Sequence, residues 1–234
     1  ISIHKKENTD EIKIDGQKNF KSFNYIVPSD PSSCAFLIVL TLLSKNCELK
    51  IKDVNVNQSR IGFIKILNRM GANIKINNIK ERYGEKRADI RVKSQSNLKK
   101  IDCPPRLNSN LIDEFLIIFL VAAKARGISS FSKLDELDKK ESPRLKLGSN
   151  ILNKMGIKTI TSNNSIKIFG NPNLKINKKI IIKDFLKDHR IFMASSIAAL
   201  SFGGEWKIYD KESVNTSFPS FIKKISYLGA RISY

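Results

Sequence analysis

One pattern occurs three times in this sequence, and that repetition constrains the fold more than any other feature. Residues 66–74, 151–159 and 222–232 each read as an amphipathic helix that ends at a glycine (Gly71, Gly156, Gly229) and passes at once into a strand. Glycine supplies the left-handed conformation that closes a helix. Upstream of each lies a second helical stretch, apolar on nearly every face: residues 33–43, 111–125 and 189–202. Each of these is followed by a short strand pattern, at 48–54, 128–133 and 205–210. From Ser33, Asp113 and Asp188 to the closing glycine the separations are 38, 43 and 41 residues. The unit is therefore buried helix, strand, amphipathic helix, strand and usually one more strand. A helix apolar all round must be enclosed, whereas an amphipathic one lays a single face on a sheet. Three such units predict an α/β domain of pseudo-threefold symmetry, helices inside and sheets around them. Solenoid stacking is the alternative, disfavoured by the long unit and its irregular connections. Polar loops are expected at 78–87, 93–110 and 171–179.

Composition narrows the functional classes. With 234 residues and 41% hydrophobic content, the chain is long enough to bury a core without metal or disulfides. No apolar run approaches the ~20 residues of a membrane helix. The three cysteines (Cys34, Cys47, Cys103) are far apart and form no C-x-x-C pair, which fits free thiols in a reducing cytosol. The net charge of +20 invites a nucleic-acid reading. However, the lysines are spread along the chain, without an Arg-rich block or basic residues interleaved with aromatics. A basic surface also attracts small anionic substrates. The chain opens mid-pattern, with short strands expected at residues 1–4 and 11–15, and the expectation is a fragment of a longer protein.

The informative charges sit at the junctions between units, because an unpaired charge at the mouth of an apolar helix is costly. Asp113 and Glu114 precede one buried helix, and Asp188, His189 and Arg190 open another. Between them lie Lys140, Glu141, Ser142, Pro143 and Arg144, where Ser142 is a plausible N-cap and Pro143 a first helical residue. All three places are helix N-termini, which attract anions. Arginines beside them can grip carboxylate or phosphate with a bidentate fork. Each has a plainer reading. Asp113 could cap its helix, Lys140, Glu141 and Arg144 could be a solvated face, and Asp188 and Arg190 a cap and an exposed charge.

At these residues the chain resembles a known family, 5-enolpyruvylshikimate-3-phosphate synthase (3-phosphoshikimate 1-carboxyvinyltransferase). The family stretch VPGDxSSAAF appears as VPSDPSSCAF at 27–36. NxTRxG appears as NQSRIG at 57–62, leading to Met70, Gly71 and Ala72. IDExP is matched by IDEF at 112–115, and EELRVKESDR by DELDKKESPR at 135–144. DHRIAMA appears as DHRIFMA at 188–194, and TSFPxF as TSFPSF at 216–221. The ordered set is far more specific than any one motif.

The resemblance implies two domains, each an inside-out α/β barrel of three βαβαββ units. Residues 1–27 would be the tail of the first domain and 28–234 the second. It implies transfer of the enolpyruvyl group from phosphoenolpyruvate to the 5-hydroxyl of shikimate-3-phosphate, with release of phosphate. By resemblance Asp113 is the proton acceptor and contacts shikimate-3-phosphate, Lys140 reaches the substrate hydroxyl, and Glu141 is the proton-transfer partner at the methylene. Arg144 and Arg190 would hold phosphoenolpyruvate. No metal, organic cofactor, nucleic acid or membrane is implied, and the complete protein would be a cytoplasmic monomer. The fragment alone is expected to be inactive, because half the site would be missing. The sequence departs from the family at Ser29, Asp138, Lys139, Pro143 and Phe192. Pro143 stands where a carboxylate could orient Arg144. Thr216, where the first type of the enzyme has a lysine, favours the second type. Rival readings are the UDP-N-acetylglucosamine enolpyruvyl transferase of the same fold, an RNA 3′-terminal phosphate cyclase relative, a basic nucleic-acid-binding module and a non-catalytic anion-binding remnant.

Overall fold

The protein is represented by a computed structural model that describes residues 2–5, 7, 9–16, 19 and 21–233. A short antiparallel hairpin, β1 (Ser2–Lys5) with β2 (Asp10–Lys13), opens the chain and is exposed on both faces. Residue 1, expected in the first strand, lies outside the described residues. The three units follow in order. The first holds α1 (Pro31–Leu43), β3 (Glu48–Asn55), α2 (Gly62–Arg69), β4 (Asn73–Arg82) and β5 (Glu85–Lys93). The second holds α3 (Phe115–Lys124), β6 (Gly127–Phe131), α4 (Arg144–Lys154), β7 (Thr159–Ser162) and β8 (Ser165–Gly170). The third begins with β9 (Lys179–Ile182) and continues through α5 (His189–Phe202), β10 (Glu205–Ile208) and α6 (Phe221–Tyr227).

The pattern of apolar residues places these elements. In α3 every residue from Phe115 to Ala123 is buried, each large side chain contributing about 1.5–3 kcal/mol by leaving water. The inner helices α1, α3 and α5 contact one another, and the sheets surround them. This enclosure is the inside-out arrangement expected from helices apolar all round, and it excludes a solenoid. Sheet β3-β5-β4 covers α1, and sheet β6-β8-β7 covers α3. Alternation in β5 shows the sheet logic: Ala88, Ile90 and Val92 point inward, while Arg91 and Lys93 face water.

Each amphipathic helix ends by the same device. Gly71, Gly156 and Gly229 have φ of 92°, 89° and 100°. The N–H groups of Ala72, Ile157 and Ala230 reach back to the carbonyls of Leu67, Leu152 and Ile225 at 3.0, 2.9 and 3.0 Å. The three glycine N–H groups donate to Asn68, Asn153 and Ser226, each at 3.0 Å. Three Schellman closures thus stand at equivalent places.

Several expectations need correction. The polar stretch 78–87 is no loop but the end of β4, a turn at Tyr83 and Gly84, and the start of β5. The stretch 93–110 carries two isolated parallel bridges (Lys99 to Arg126, Asp102 to Ser130) and a 3-10 turn at Pro105–Asn110. With the bridge from Ser29 to Val54 and the parallel pair β9–β10, these supply the leading strand of each unit. The strand expected at the end of the third unit does not form within described residues 228–233. A strand there would need a paired neighbour equivalent to β5 or β8, and none of the described residues supplies one. Among the described residues the third unit's sheet is the parallel pair β9–β10.

Candidate active site

The N-termini of α3, α4 and α5 come together at one end of the inner helix bundle, and their charged residues make one cluster. Arg144, the first residue of α4, is only 1% exposed. Its Nε donates to Asp188 Oδ2 at 2.9 Å and its Nη1 to Asp113 Oδ1 at 3.2 Å. Its Nη2 donates to Asp188 Oδ1 at 3.4 Å and to Glu141 Oε2. Asp188 is equally buried, caps α5 by accepting from the Arg190 N–H at 2.8 Å, and accepts from Ser142 Oγ at 2.7 Å. Arg190 Nη1 donates to the Asp113 carbonyl at 2.8 Å, and its Nη2 lies 3.5 Å from Asp113 Oδ2. Lys140 Nζ stands 3.6 Å from Asp113 Oδ1. Asp113 is thus faced by three cations from two other helix starts.

Burial pushes the Asp113 carboxyl up, but Arg190, Lys140 and Arg144 outweigh it and hold the group below the ordinary aspartate value. Burial likewise raises Asp188, and Arg144, Ser142 and the Arg190 N–H bring it below the ordinary value. Glu114 behaves oppositely. It is 4% exposed, its Oε1 has no hydrogen bond, and Arg190 Nη1 is 3.8 Å away. Burial therefore raises its carboxyl despite that cation. Burial, then Arg190, depresses His189. A polar cleft of about 270 Å³ adjoins Asp113 and Glu114, lined also by Ser32, Ser59, Arg60 and Asn110. A roomier groove of about 700 Å³ lies elsewhere, between α5, β10 and α6, and contains none of these charges. Charge geometry rather than size marks the site.

The structure brings together all five residues singled out from sequence: Asp113, Lys140, Glu141, Arg144 and Arg190. Asp188 does cap α5, as its plainer reading had it, but the plainer readings of Asp113 and Arg144 fail. Asp113 makes no cap bond to α3, and Arg144 is buried rather than on a solvated face. Ser142 is not the N-cap of α4 and Pro143 is not its first residue. The helix starts at Arg144, and Asp138 Oδ1 accepts from the Leu145 N–H at 2.6 Å. Ser142 is drawn away because its hydroxyl binds Asp188. Sequence reasoning missed Asp188 as the anchor of Arg144 and Glu114 as the buried neighbour of Arg190. Asp188 looked like a simple helix cap, and its second partner lies 44 residues away in sequence.

A family model, EPSP synthase (3-phosphoshikimate 1-carboxyvinyltransferase), matches residues 1–225. The chain belongs to the EPSP synthase family. A 3-phosphoshikimate 1-carboxyvinyltransferase of Thermodesulfovibrio yellowstonii is 40% identical over 206 residues, covering 88% of this chain and 47% of that protein. The relative of the same description from Zymomonas mobilis is 36% identical over 233 residues, covering 98% and 51%. The chain therefore spans about half the length of the curated relatives it matches. The solved EPSP synthase of Acinetobacter baumannii superposes with a TM-score of 0.80 at 34% identity, over 86% of this chain and 46% of that one. The enolpyruvyl transferase NikO of Streptomyces tendae shares the fold, with a TM-score of 0.65 at 14% identity.

The family departures are accommodated. Arg144 keeps its orientation without a carboxylate at Pro143, because Asp188 and Glu141 supply it. Phe192 is buried in the core at 4% exposure. Thr216 bonds the Ser213 carbonyl within its own 3-10 turn.

Proposed function

We propose that this chain carries the second half of an EPSP synthase active site. Residues 28–234 form the three-unit second domain, and residues 1–27 are the tail of the first. The reaction is transfer of the enolpyruvyl group of phosphoenolpyruvate to the 5-hydroxyl of shikimate-3-phosphate. The hydroxyl oxygen bonds to C2, its proton passing to Asp113, while C3 gains a proton from Glu141. The tetrahedral adduct then breaks its C2–O bond to phosphate, which leaves with the proton held by Asp113, and returns a C3 proton to Glu141, which restores the double bond. Arg144 and Arg190 hold the anionic groups of phosphoenolpyruvate, and Lys140 meets the hydroxyl region. In the complete form the protein acts as a cytoplasmic monomer.

One observation carries this reading: a carboxylate kept ionised by three cations stands beside a second carboxylate half-exposed on the same cluster. A base for the hydroxyl, an acid for the methylene and cations for spread negative charge are what this chemistry needs. The charge count supports a partial site. Among the described residues, Asp113, Glu114, Glu141 and Asp188 are ion-paired with Lys140, Arg144 and Arg190, and Arg60 lines the cleft beside Glu114, so four carboxylates already engage four cations. Two polyanionic substrates need further cations, which the half of the relatives outside this chain would supply.

The test is a chimera that joins this chain to the remaining half of the Thermodesulfovibrio yellowstonii relative, assayed for phosphate release. Turnover by the chimera and none by the chain alone is expected. In the chimera Arg190→Ala should weaken phosphoenolpyruvate binding by about 2–5 kcal/mol. An unchanged KM for phosphoenolpyruvate would sink the assignment of Arg190.

A further inference from the structure

Every nitrogen of the Arg144 guanidinium is bonded to one of the chain's own carboxylates, at 1% exposure. These four bonds leave one of the five N–H donors uncommitted, so an anion that docks on the guanidinium as a fork, through two donors, must displace one of the carboxylates. The three carboxylates differ greatly in how firmly they are held. Asp188 binds Arg144 through two nitrogens, caps α5 and binds Ser142, with its side chain fully enclosed. Asp113 is tied also to Arg190 and Lys140. Glu141 is 54% exposed, sits in the loop before α4, and has Arg144 as its hydrogen-bond partner. Its release leaves no buried group unpaired once another anion takes its place, whereas release of Asp188 would open the start of α5.

We propose that Glu141 is an internal stand-in for the ligand's anionic group at Arg144, so that anion binding and release of Glu141 are a single exchange. This rests on the reading of Arg144 as an anion-gripping residue. One ligand oxygen replaces one carboxylate oxygen on the guanidinium fork, a geometry that carboxylate and phosphate share. No bond is made or broken beyond these hydrogen bonds. The freed carboxylate swings from the arginine toward the newly bound molecule. Freed from the cation and set beside a bound anion, the half-exposed carboxylate takes a proton from solvent and only then can serve as the donor, so the proton is withheld until the anion has arrived. The arrangement makes an unusual demand: removing a catalytic carboxylate should tighten ligand binding, because its competition is removed.

The experiment uses the 234-residue chain, with folding of each variant checked by thermal melting. Phosphoenolpyruvate and inorganic phosphate are titrated calorimetrically into the wild type, Glu141→Ala, Glu136→Ala and Arg144→Met. Glu136 lies on the same loop, is paired with Lys139 and does not touch Arg144, so it controls for loss of one negative charge. The expected result is about tenfold tighter phosphoenolpyruvate binding by Glu141→Ala, equivalent to ~1.4 kcal/mol. Glu136→Ala should change affinity by less than about twofold. In a chain labelled with carbon-13 at the glutamate carboxyls, the Glu141 resonance should move as phosphoenolpyruvate binds the wild type. Equal or weaker binding by Glu141→Ala, no binding by it at millimolar ligand, or an immobile Glu141 resonance during binding would each overturn the exchange. If a folded Arg144→Met chain binds as the wild type does, the anion-gripping role of Arg144 fails and the exchange fails with it. If Arg144→Met loses binding while Glu141→Ala gains nothing, that role stands and only the exchange is wrong.

Discussion

The N-termini of α1 and α5 are built alike and end up doing different things. At each, an aspartate caps the helix: Asp30 accepts from the Ser33 N–H and Asp188 from the Arg190 N–H, both at 2.8 Å. At each, the same carboxylate also receives an arginine from another part of its neighbourhood, Arg60 at 3.0 Å and Arg144 at 2.9 Å. The Asp30–Arg60 pair is half exposed, 48% and 52%, whereas the Asp188–Arg144 pair is buried at 0% and 1%. Water screens the first pair and competes for its hydrogen bonds, so it contributes little. The second pair is enclosed by α3, α4 and α5, where either partner alone would be an uncompensated buried charge. The same local device is a surface cap in one unit and the anchor of a candidate active site in another.

The largest break of this comparison should come from Asp188→Ala. It strands Arg144 in the interior and should cost about 3–5 kcal/mol in urea unfolding. The loss also has a pH signature. Asp188 titrates below the ordinary aspartate value when folded, so its contribution is present above the unfolded value and disappears as pH falls through the folded one. Asp188→Asn should remove that part of the acid limb. A cost near that of Asp30→Ala would mean that burial adds nothing to the pair.

Asp30→Ala should cost about 1 kcal/mol, the usual worth of an N-cap. A loss of 3 kcal/mol or more, on the scale of a broken buried pair, would remove the distinction between the two sites. Glu114→Gln sharpens the comparison at the cleft that runs from Ser32 and Arg60 to Asp113. The folded carboxyl of Glu114 is raised, so its stability contribution is full below the unfolded value and is lost as pH rises through the folded one. The glutamine variant should melt with less decline from acid toward neutral pH than the wild type, and an identical decline would count against a strained Glu114. The smallest effect is expected from Arg60→Ala. An exposed pair is worth roughly 0.2–1 kcal/mol, and half-molar salt should shrink the difference further.

Much of the architecture was legible because it is written in local chemistry. Helix α5 begins and ends where its apolar run does, and the three closing glycines adopt the left-handed conformation that their place after an amphipathic helix requires. The apolar fullness of residues 115–123 announces enclosure before any coordinate is known. The polar stretch at 78–87 misled, since Asn, Lys and Arg read as loop, yet residues 78–82 form a hairpin arm exposed on both faces that extends a sheet whose inner face is built by Ala88, Ile90 and Val92. The missing last strand of the third unit is an error of another kind. A strand is stabilised by a neighbour, and among the described residues nothing pairs with 230–232 although they repeat the pattern.

The candidate site divides in the same way. Composition and motif order were enough to place Asp113, Lys140, Glu141, Arg144 and Arg190 on one list. The sequence by itself determined the three inner helices, their enclosure and the identity of the charges at their mouths, since helix period, apolar run and capping are properties of neighbours in the chain. Only the tertiary structure decided which charges meet. It made Asp188 the buried holder of Arg144, drew Ser142 off its expected cap, left one oxygen of Glu114 without a hydrogen bond behind Arg190 and set Glu141 half in water. Those outcomes depend on how three helices from separate units pack, because the strength of a charge pair is set by the water excluded around it rather than by the residues flanking it in sequence.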